Sequence, residues 1–167
     1  MMRAFIIVLM IIAFSVAVCA GEKVQQRKVS ITISPFHLLS PVLHLTGELR
    51  ITDKISAAAI LGGGQVSEEG KNYDEWEAGY QFRYYLIGSF THGLMLGADT
   101  GYIHVSGKLD SPMDYYVGVR AGVFAGYKIV TKRGFTFEVQ IGPQYVRESA
   151  SHTELQTLEN LKIGWSF

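Results

Sequence analysis

Two side chains with catalytic potential lie close together in the sequence, His104 and Ser106, with Val105 between them. In a β-strand, residues two positions apart project from the same face, so this histidine and serine would be neighbours. A serine becomes a nucleophile only beside a general base, and a third group must orient that base. The next predicted strand begins with residues 115–120, which contain no carboxylate. We therefore interpret the pair as a polar strand end that enters a loop.

Other residues that often bind metals or phosphates lack the required spacing. His37, His44 and His92 form no recognisable metal-binding pattern. The triplet Gly62-Gly63-Gly64 lacks the Gly-Lys-Ser/Thr ending of a phosphate-binding loop, and we expect it to mark a kink or bulge in a strand. The sequence thus predicts no metal ion, no cofactor and no catalytic residue.

Charged residues of both signs recur at alternate positions of the predicted strands. Such a set suits the narrow interior of a small barrel, which side chains can fill, provided that the buried charges are paired. The alternative is the solvated outer face of a soluble sheet. The formal net charge of zero argues against a nucleic-acid partner, which would require a basic surface. The predicted interior network comprises Glu48, Arg50, Glu75, Glu77, Arg83, Asp99, Arg120, Lys128, Glu138 and Lys162.

The first twenty residues differ in composition from the rest of the chain. Arg3 precedes an apolar run over 4–18, and polar residues follow Ala20. This pattern is typical of a secretory signal peptide over 1–20, which leaves one domain over 21–167. The alternatives are an uncleaved anchor, for which the run is short, and lipidation of Cys19. Because Cys19 is the only cysteine, cleavage after Ala20 would leave no thiol or disulfide.

The dominant pattern after residue 27 is an alternation of apolar and polar residues. A period of two indicates strands with one apolar and one polar face. We count about eight such segments, the smallest common number for a membrane barrel, and most are long enough to cross a bilayer when tilted. The predicted strands span 28–34, 41–51, 55–66, 74–87, 94–106, 115–130, 135–147 and 158–167.

The connections between these segments alternate in length. Short turns are predicted at 52–54, 88–93 and 131–134, and longer polar loops at 67–73, 107–114 and 148–157. A meander barrel requires this alternation, with tight turns at one end and longer loops at the other. Both chain ends should then lie at the end with the short turns.

Alternation alone leaves open which face points inward. Soluble barrels place the apolar face inside, whereas membrane barrels place it outside. Aromatic residues near the strand ends favour the membrane, because amphipathic rings collect at its two interfaces, although aromatics also favour strands in general. The predicted aromatic girdle comprises Trp76, Tyr84, Tyr102, Tyr115, Tyr127 and Tyr145, with Tyr85 assigned to the same band.

The last strand carries a recognisable pattern, in which Leu161, Ile163, Trp165 and Phe167 alternate with smaller or polar residues. This pattern resembles the C-terminal signal that the outer-membrane barrel assembly machinery reads. With the signal peptide, it makes the chain resemble the small OmpA/OmpX-type outer-membrane β-barrels of Gram-negative bacteria, over about 29–167. The resemblance implies a single antiparallel up-and-down transmembrane β-barrel, but no peptidoglycan-binding domain is expected after it.

The resemblance also implies a route and partners. The chain would be exported by a Sec-type pathway, carried by periplasmic chaperones and inserted by the assembly machinery. In the cell outer membrane it would contact lipids and lipopolysaccharide, as a monomer. His104-Val105-Ser106 separately resembles the His-x-Ser motif of the lipid A 3-O-deacylase family, but Gly107-Lys108 stand where that family has Asn-Ala.

The sequence therefore predicts an integral outer-membrane barrel with a structural or surface-interaction role. The alternatives are a small pore, a deacylase-like enzyme acting on lipid A, and a soluble secreted barrel that binds a ligand. If the apolar face is outside, arginine at Val123 should be costly near the bilayer midplane. Alanine at Gly122, on the opposite face, should cost much less.

Overall fold

Eight antiparallel strands form a closed barrel. The computed structural model describes residues 27–35, 42–68, 71–107, 115–148 and 153–167, so the predicted signal peptide lies outside the described residues. Each strand pairs with its sequence neighbours, and the first pairs with the last. This confirms the predicted all-β, up-and-down barrel. The strands are β1 (Val29–Ile33), β2 (Val42–Arg50), β3 (Ile55–Glu68), β4 (Lys71–Ser89), β5 (His92–Gly107), β6 (Tyr115–Val130), β7 (Phe135–Glu148) and β8 (Thr153–Ser166).

Three strands begin earlier than the sequence pattern predicts. β4 begins at Lys71 rather than at 74, β5 begins at His92 rather than at 94, and β8 begins at Thr153 rather than at 158, so the predicted turn at 88–93 shortens to 90–91. Backbone pairing continues through these polar segments, as in the pair Glu68 and Lys71. Because a hydrogen-bonded ladder needs no apolar face, the strands extend beyond the region where alternation is visible. The predicted loops at 67–73 and 148–157 are therefore wrong in extent, and only 69–70 and 149–152 separate those strands.

The two ends of the barrel differ. The connections 51–54, 90–91 and 131–134 lie at one end, which we call the turn end. The chain termini of the barrel meet there, because the backbone N–H of Lys28 donates to the carbonyl of Phe167 at 2.7 Å. Gly134 has a φ of +104° in its turn, which favours glycine. The opposite end, where 34–41 and 108–114 connect strands, we call the loop end.

The barrel is polar inside and apolar outside. Among the described residues, twenty polar or charged side chains are buried, against ten apolar ones. Twenty-five large apolar side chains are exposed on the outer surface, including Tyr80 at 71% and Val123 at 58%. A water-soluble domain has the opposite arrangement. The structure therefore resolves the question that alternation left open.

The predicted bulge at the glycine triplet is wrong. Gly62, Gly63 and Gly64 pair in continuous register with β4, so they form no bulge, and a Cβ at Gly62 would meet the His44 ring at 3.0 Å. The register of β4 with β5 shifts instead just after Tyr85. At Gly122, a Cβ would lie 2.8 Å from the backbone oxygen of Pro143, so Gly122→Ala should have a cost of its own, and the prediction that this cost is much smaller than that of Val123→Arg remains a prediction.

Candidate functional site: a charged interior within an apolar wall

One cluster of buried ions is centred on Arg83, which β4 places on the inner face of the barrel. Its Nη1 donates to Glu48 Oε2 at 2.7 Å and to Glu138 Oε2 at 2.9 Å. Its Nε and Nη2 both donate to Gln81 Oε1. Arg83 is completely buried, and the two carboxylates come from β2 and β7, on other parts of the wall. The guanidinium thus joins strands that are not neighbours in the sheet.

The carboxylates of this cluster have further partners. The Lys128 ammonium lies 2.6 Å from Glu48 Oε2, and the hydroxyls of Ser56 and Tyr85 donate to Glu48 Oε1 at 2.6 and 2.8 Å. The Gln140 amide donates to Glu138 Oε1 at 2.6 Å, and the Lys162 ammonium lies 3.9 Å from the same oxygen. These contacts satisfy the carboxylate oxygens, which is the condition under which buried charge is tolerated.

A second cluster lies nearer the loop end. The Arg120 guanidinium lies 2.5 Å from Glu77 Oε1 and 3.6 Å from Asp99 Oδ1. His44 Nε2 lies 3.8 Å from Glu77 Oε2. Gln81 donates to Asp99 at 2.9 Å and also contacts Arg83, so it connects the two clusters. Together, the clusters contain four carboxylates and four Lys or Arg side chains, and their formal charges cancel.

The structure does not bring every predicted network residue into these clusters. Arg50 lies at the turn end, where it contacts Asp53 and the backbone oxygen of Arg27. Glu75 faces inward near the loop end and is half-buried. Gln81 and Gln140 belong to the network but were not predicted, although both stand at polar positions of an alternating strand. Both could have been predicted if amides at these polar positions had been included together with the charged residues.

The interior is closed at the turn end by residues that alternation did not reveal. The Phe90 ring is completely buried, as are Tyr85 and Met95, and the Lys128 ammonium lies 3.7 Å from the centre of that ring. Arg27 donates to the carbonyls of Ser166 and Lys132 and ties the N-terminal segment to the barrel rim. Arg27 and Phe90 lie outside the periodic segments, so no periodicity could have identified them.

The outer wall carries most of the predicted aromatic girdle. Trp76, Tyr84, Tyr102 and Tyr145 are exposed, and Tyr127 is half-buried on the same face. The side chain of Tyr115 lies outside the described residues. The placement of Tyr85 in the girdle is wrong, since Tyr85 faces inward and is completely buried. The register shift after it separates the inward Tyr85 from the exposed Leu86 and Ile87.

The predicted C-terminal signal lies on the outer face of β8. Leu161 and Ile163 are half-buried, and Trp165 and Phe167 are exposed. Trp165 makes an edge-on contact with Phe135 of β7, with ring centres 6.4 Å apart. These residues therefore extend the apolar wall to the turn end.

Two shallow apolar grooves flank Phe82 on the outer wall. One, of about 530 Å³, is lined by small residues of β3 and β5 such as Ala57, Ala59 and Ala98. The other, of about 500 Å³, continues from Ala98 towards Val123 on β6. Small side chains between bulky ones make this side of the wall uneven.

His104 and Ser106 lie on the outer face near the loop end, but their side chains contact other groups. The His104 ring packs on Trp76, with centres 5.4 Å apart, and Trp76 also contacts Tyr102 at 5.3 Å. The Ser106 hydroxyl donates to the backbone oxygen of Asp74 at 3.4 Å. The imidazole is therefore part of an aromatic cluster, and the serine hydroxyl is bonded to the backbone of the neighbouring strand β4.

Within the described ranges, no group of three or more His, Cys, Asp or Glu side chains is arranged to hold a metal ion. In the same ranges, no helix has the length and apolarity needed to cross a membrane. Comparison with known proteins finds no matching family model, no matching curated protein and no matching solved structure. The proposals below therefore rest on the residues of this chain.

Proposed function

We propose that this chain is an integral outer-membrane β-barrel protein of Gram-negative bacteria with a structural or surface-interaction role. One observation carries the proposal: the barrel has an apolar outer wall around an ion-paired interior. Exposed apolar area of this extent is unfavourable in water and favourable in hydrocarbon. A closed barrel also satisfies its backbone hydrogen bonds without water, which a spanning structure requires.

The height of the apolar wall fits a bilayer. On β4 the outward residues Trp76, Tyr80, Phe82, Tyr84 and Leu86 are all exposed. The ten steps from Trp76 to Leu86 extend about 33 Å along a strand. At the tilt of about 40° that is usual in such barrels, this length covers roughly 25 Å along the membrane normal, the height of the apolar band in outer-membrane barrels. Rings stand at both ends of the segment, as expected at two interfaces.

The interior supports a structural or interaction role over the alternatives. A soluble ligand-binding barrel needs an apolar interior cavity, whereas here Arg83, Lys128 and Glu138 are completely buried in ion pairs. An open pore needs a water-filled path, whereas Phe90 and Met95 fill the interior at the turn end. Specificity would then belong to the loop end, since loops on a rigid scaffold usually contact partners.

The remaining elements of the proposal follow from outer-membrane insertion. The exposed Trp165 and Phe167 end the last strand, as in the C-terminal signals that the barrel assembly machinery recognises. The proposal includes the resemblance to OmpA/OmpX-type barrels and the removal of a signal peptide at 1–20. It also includes transport by periplasmic chaperones, contact with lipopolysaccharide in the membrane, and a monomeric state. We propose no enzymatic activity.

Expression of the full chain in a Gram-negative host tests the proposal. The protein should fractionate with the outer membrane, begin at Gly21 by N-terminal sequencing, and migrate differently in gels before and after boiling. A protein recovered in the soluble periplasmic fraction, without such a mobility change, would refute membrane insertion.

A matched pair of variants tests which face contacts lipid. Val123→Arg places a charge near the middle of the outer wall and should cost about 2–4 kcal/mol of folding free energy in the membrane. Leu155→Arg makes a similar change at an exposed outer position near the loop end of β8, and should accumulate almost as well as wild type. Equal accumulation of the two variants would contradict the assignment of the outer wall to lipid.

A further inference from the structure

The formal net charge of zero conceals an uneven distribution of charge along the barrel axis. With the interior ion pairs balanced, the remaining charges of the barrel lie mainly at its two ends. The described segments of the turn end carry six basic residues and one acidic residue, Asp53. The basic residues are Arg27, Lys28, Arg50, Lys54, Lys132 and Arg133.

Within the described turn-end segments, the exposed charged side chains other than Asp53 are all basic. Asp53 is paired with Arg50, so the only acidic side chain of the described turn-end segments is neutralised. Lys28, Lys54 and Arg133 are exposed, and Lys132 is exposed beside Arg133. We call these four residues the basic rim.

The loop end has the opposite sign. The segments 66–75, 108–116 and 147–159 together contain nine acidic and three basic residues. The two ends of the barrel therefore differ in charge, and the turn end is the one whose net charge attracts anions.

The basic rim directly adjoins the apolar wall. Lys132 and Arg133 immediately precede the exposed Phe135, which contacts Trp165. The Lys54 ammonium donates to the backbone oxygen of Gly88, which follows the exposed Ile87. These cations thus lie at the level where, in a bilayer, hydrocarbon gives way to headgroups.

The rim residues are also spread around the circumference. Lys28 precedes β1, Lys54 lies between β2 and β3, and Lys132 and Arg133 lie between β6 and β7. A single soluble anion would be bound by groups that converge on one pocket, whereas separate cations around a ring can each meet a different headgroup. The geometry therefore favours several lipid molecules over one soluble ligand.

We propose that the basic rim binds the phosphate headgroups of anionic phospholipids and enriches these lipids around the turn end. The inference rests on the proposed membrane insertion, in which the turn end faces the periplasmic leaflet. Cationic side chains at a membrane surface attract anionic lipid electrostatically, an effect that salt weakens. The acidic loop end should not enrich the same lipid.

The two tryptophans of the chain allow each end to be measured separately. Trp165 lies at the turn end and Trp76 towards the loop end, so Trp76→Phe and Trp165→Phe each leave one reporter. Protein purified from outer membranes would be placed in phosphatidylcholine vesicles that contain a fixed fraction of chain-brominated lipid, either phosphatidylglycerol or phosphatidylcholine. Bromine quenches a tryptophan only when that lipid is adjacent to it.

The expected result is a difference between the two ends. Quenching of Trp165 should indicate that phosphatidylglycerol is enriched locally by about two- to fivefold over random mixing. An enrichment of this size requires only a fraction of the electrostatic attraction that several surface cations exert on anionic lipid. Quenching of Trp76 should indicate none. The enrichment at Trp165 should decrease in high salt and be lost in the triple variant Lys54→Gln, Lys132→Gln, Arg133→Gln. Arg147→Gln, an exposed arginine near the loop end, is the matched control and should retain it.

Several outcomes would overturn the inference. Equal quenching of Trp165 by the two brominated lipids, equal enrichment at both tryptophans, or full enrichment in a heat-modifiable triple variant would each exclude recognition by the rim. If neither tryptophan is quenched by any brominated lipid, the barrel is not in the bilayer, and the proposed function fails together with this inference.

Discussion

Removal of Arg83 should destabilise the barrel, and removal of Glu138 as well should cost less than the two single changes added together. Arg83 is completely buried and donates to both Glu48 and Glu138. The variant Arg83→Met keeps much of the volume of the side chain but removes its charge. The interior would then hold four carboxylates against three cations.

The magnitude follows from the contacts that are lost. Removing one partner from a buried ion pair typically costs about 3–5 kcal/mol, because the remaining charge is left uncompensated. Glu48 keeps the Lys128 cation at 2.6 Å, whereas Glu138 keeps the neutral Gln140 amide at 2.6 Å and the Lys162 cation only at 3.9 Å, so Glu138 bears most of the loss of charge compensation. Glu138→Gln alone removes one charge-assisted hydrogen bond, for about 1.5–3 kcal/mol.

The double variant distinguishes a network from independent contacts. Arg83→Met with Glu138→Gln leaves three carboxylates and three cations, so the interior is neutral again. The double variant should therefore be more stable than the sum of the single costs implies, by about 1–3 kcal/mol, within the range measured for interacting pairs.

The assay is the free energy of unfolding in lipid vesicles, from urea titration followed by tryptophan fluorescence. Arg147→Met, an exposed arginine on β7, is the control and should change the stability by less than about 0.5 kcal/mol. Additive single costs, or an Arg83→Met variant as stable as the control, would refute the argument that the interior ions hold distant strands together.

Two further predictions concern closure and conductance. Gly164→Ala would place a Cβ 2.0 Å from the backbone oxygen of Ile31 and should weaken the pairing of β8 with β1. Gly47→Ala is the control and should be neutral, because its Cβ would have nothing within 4 Å. Equal midpoints of urea unfolding for the two variants would contradict this prediction. Purified wild-type protein in planar bilayers should show no steady open-pore current. Phe90→Ala should not create such a current, because Tyr85 and the ion pairs still fill the interior. Stable conductance steps in the wild-type protein would contradict a closed interior.

The sequence alone determined the strands and their order. Alternation along residues such as Phe135 to Ile141 reflects the fixed geometry of a strand, whose side chains point to opposite faces, so the pattern is visible without a partner. Short turns predicted a meander, and eight antiparallel strands close into a barrel as expected. The first residues of β4 and β8 were not predicted, because paired strand segments made of polar residues show no alternation of apolar and polar side chains.

Only the tertiary structure decided which face is inside and which charges meet. Alternation is the same for an apolar interior and an apolar exterior, and closure of the sheet removes this ambiguity by burying one face. Glu48 and Arg83 are 35 residues apart, and Lys128 is 80 residues from Glu48, yet all three meet in the interior. The register of every strand pair and the closure of the barrel bring these three side chains together. No local sequence pattern predicts these contacts.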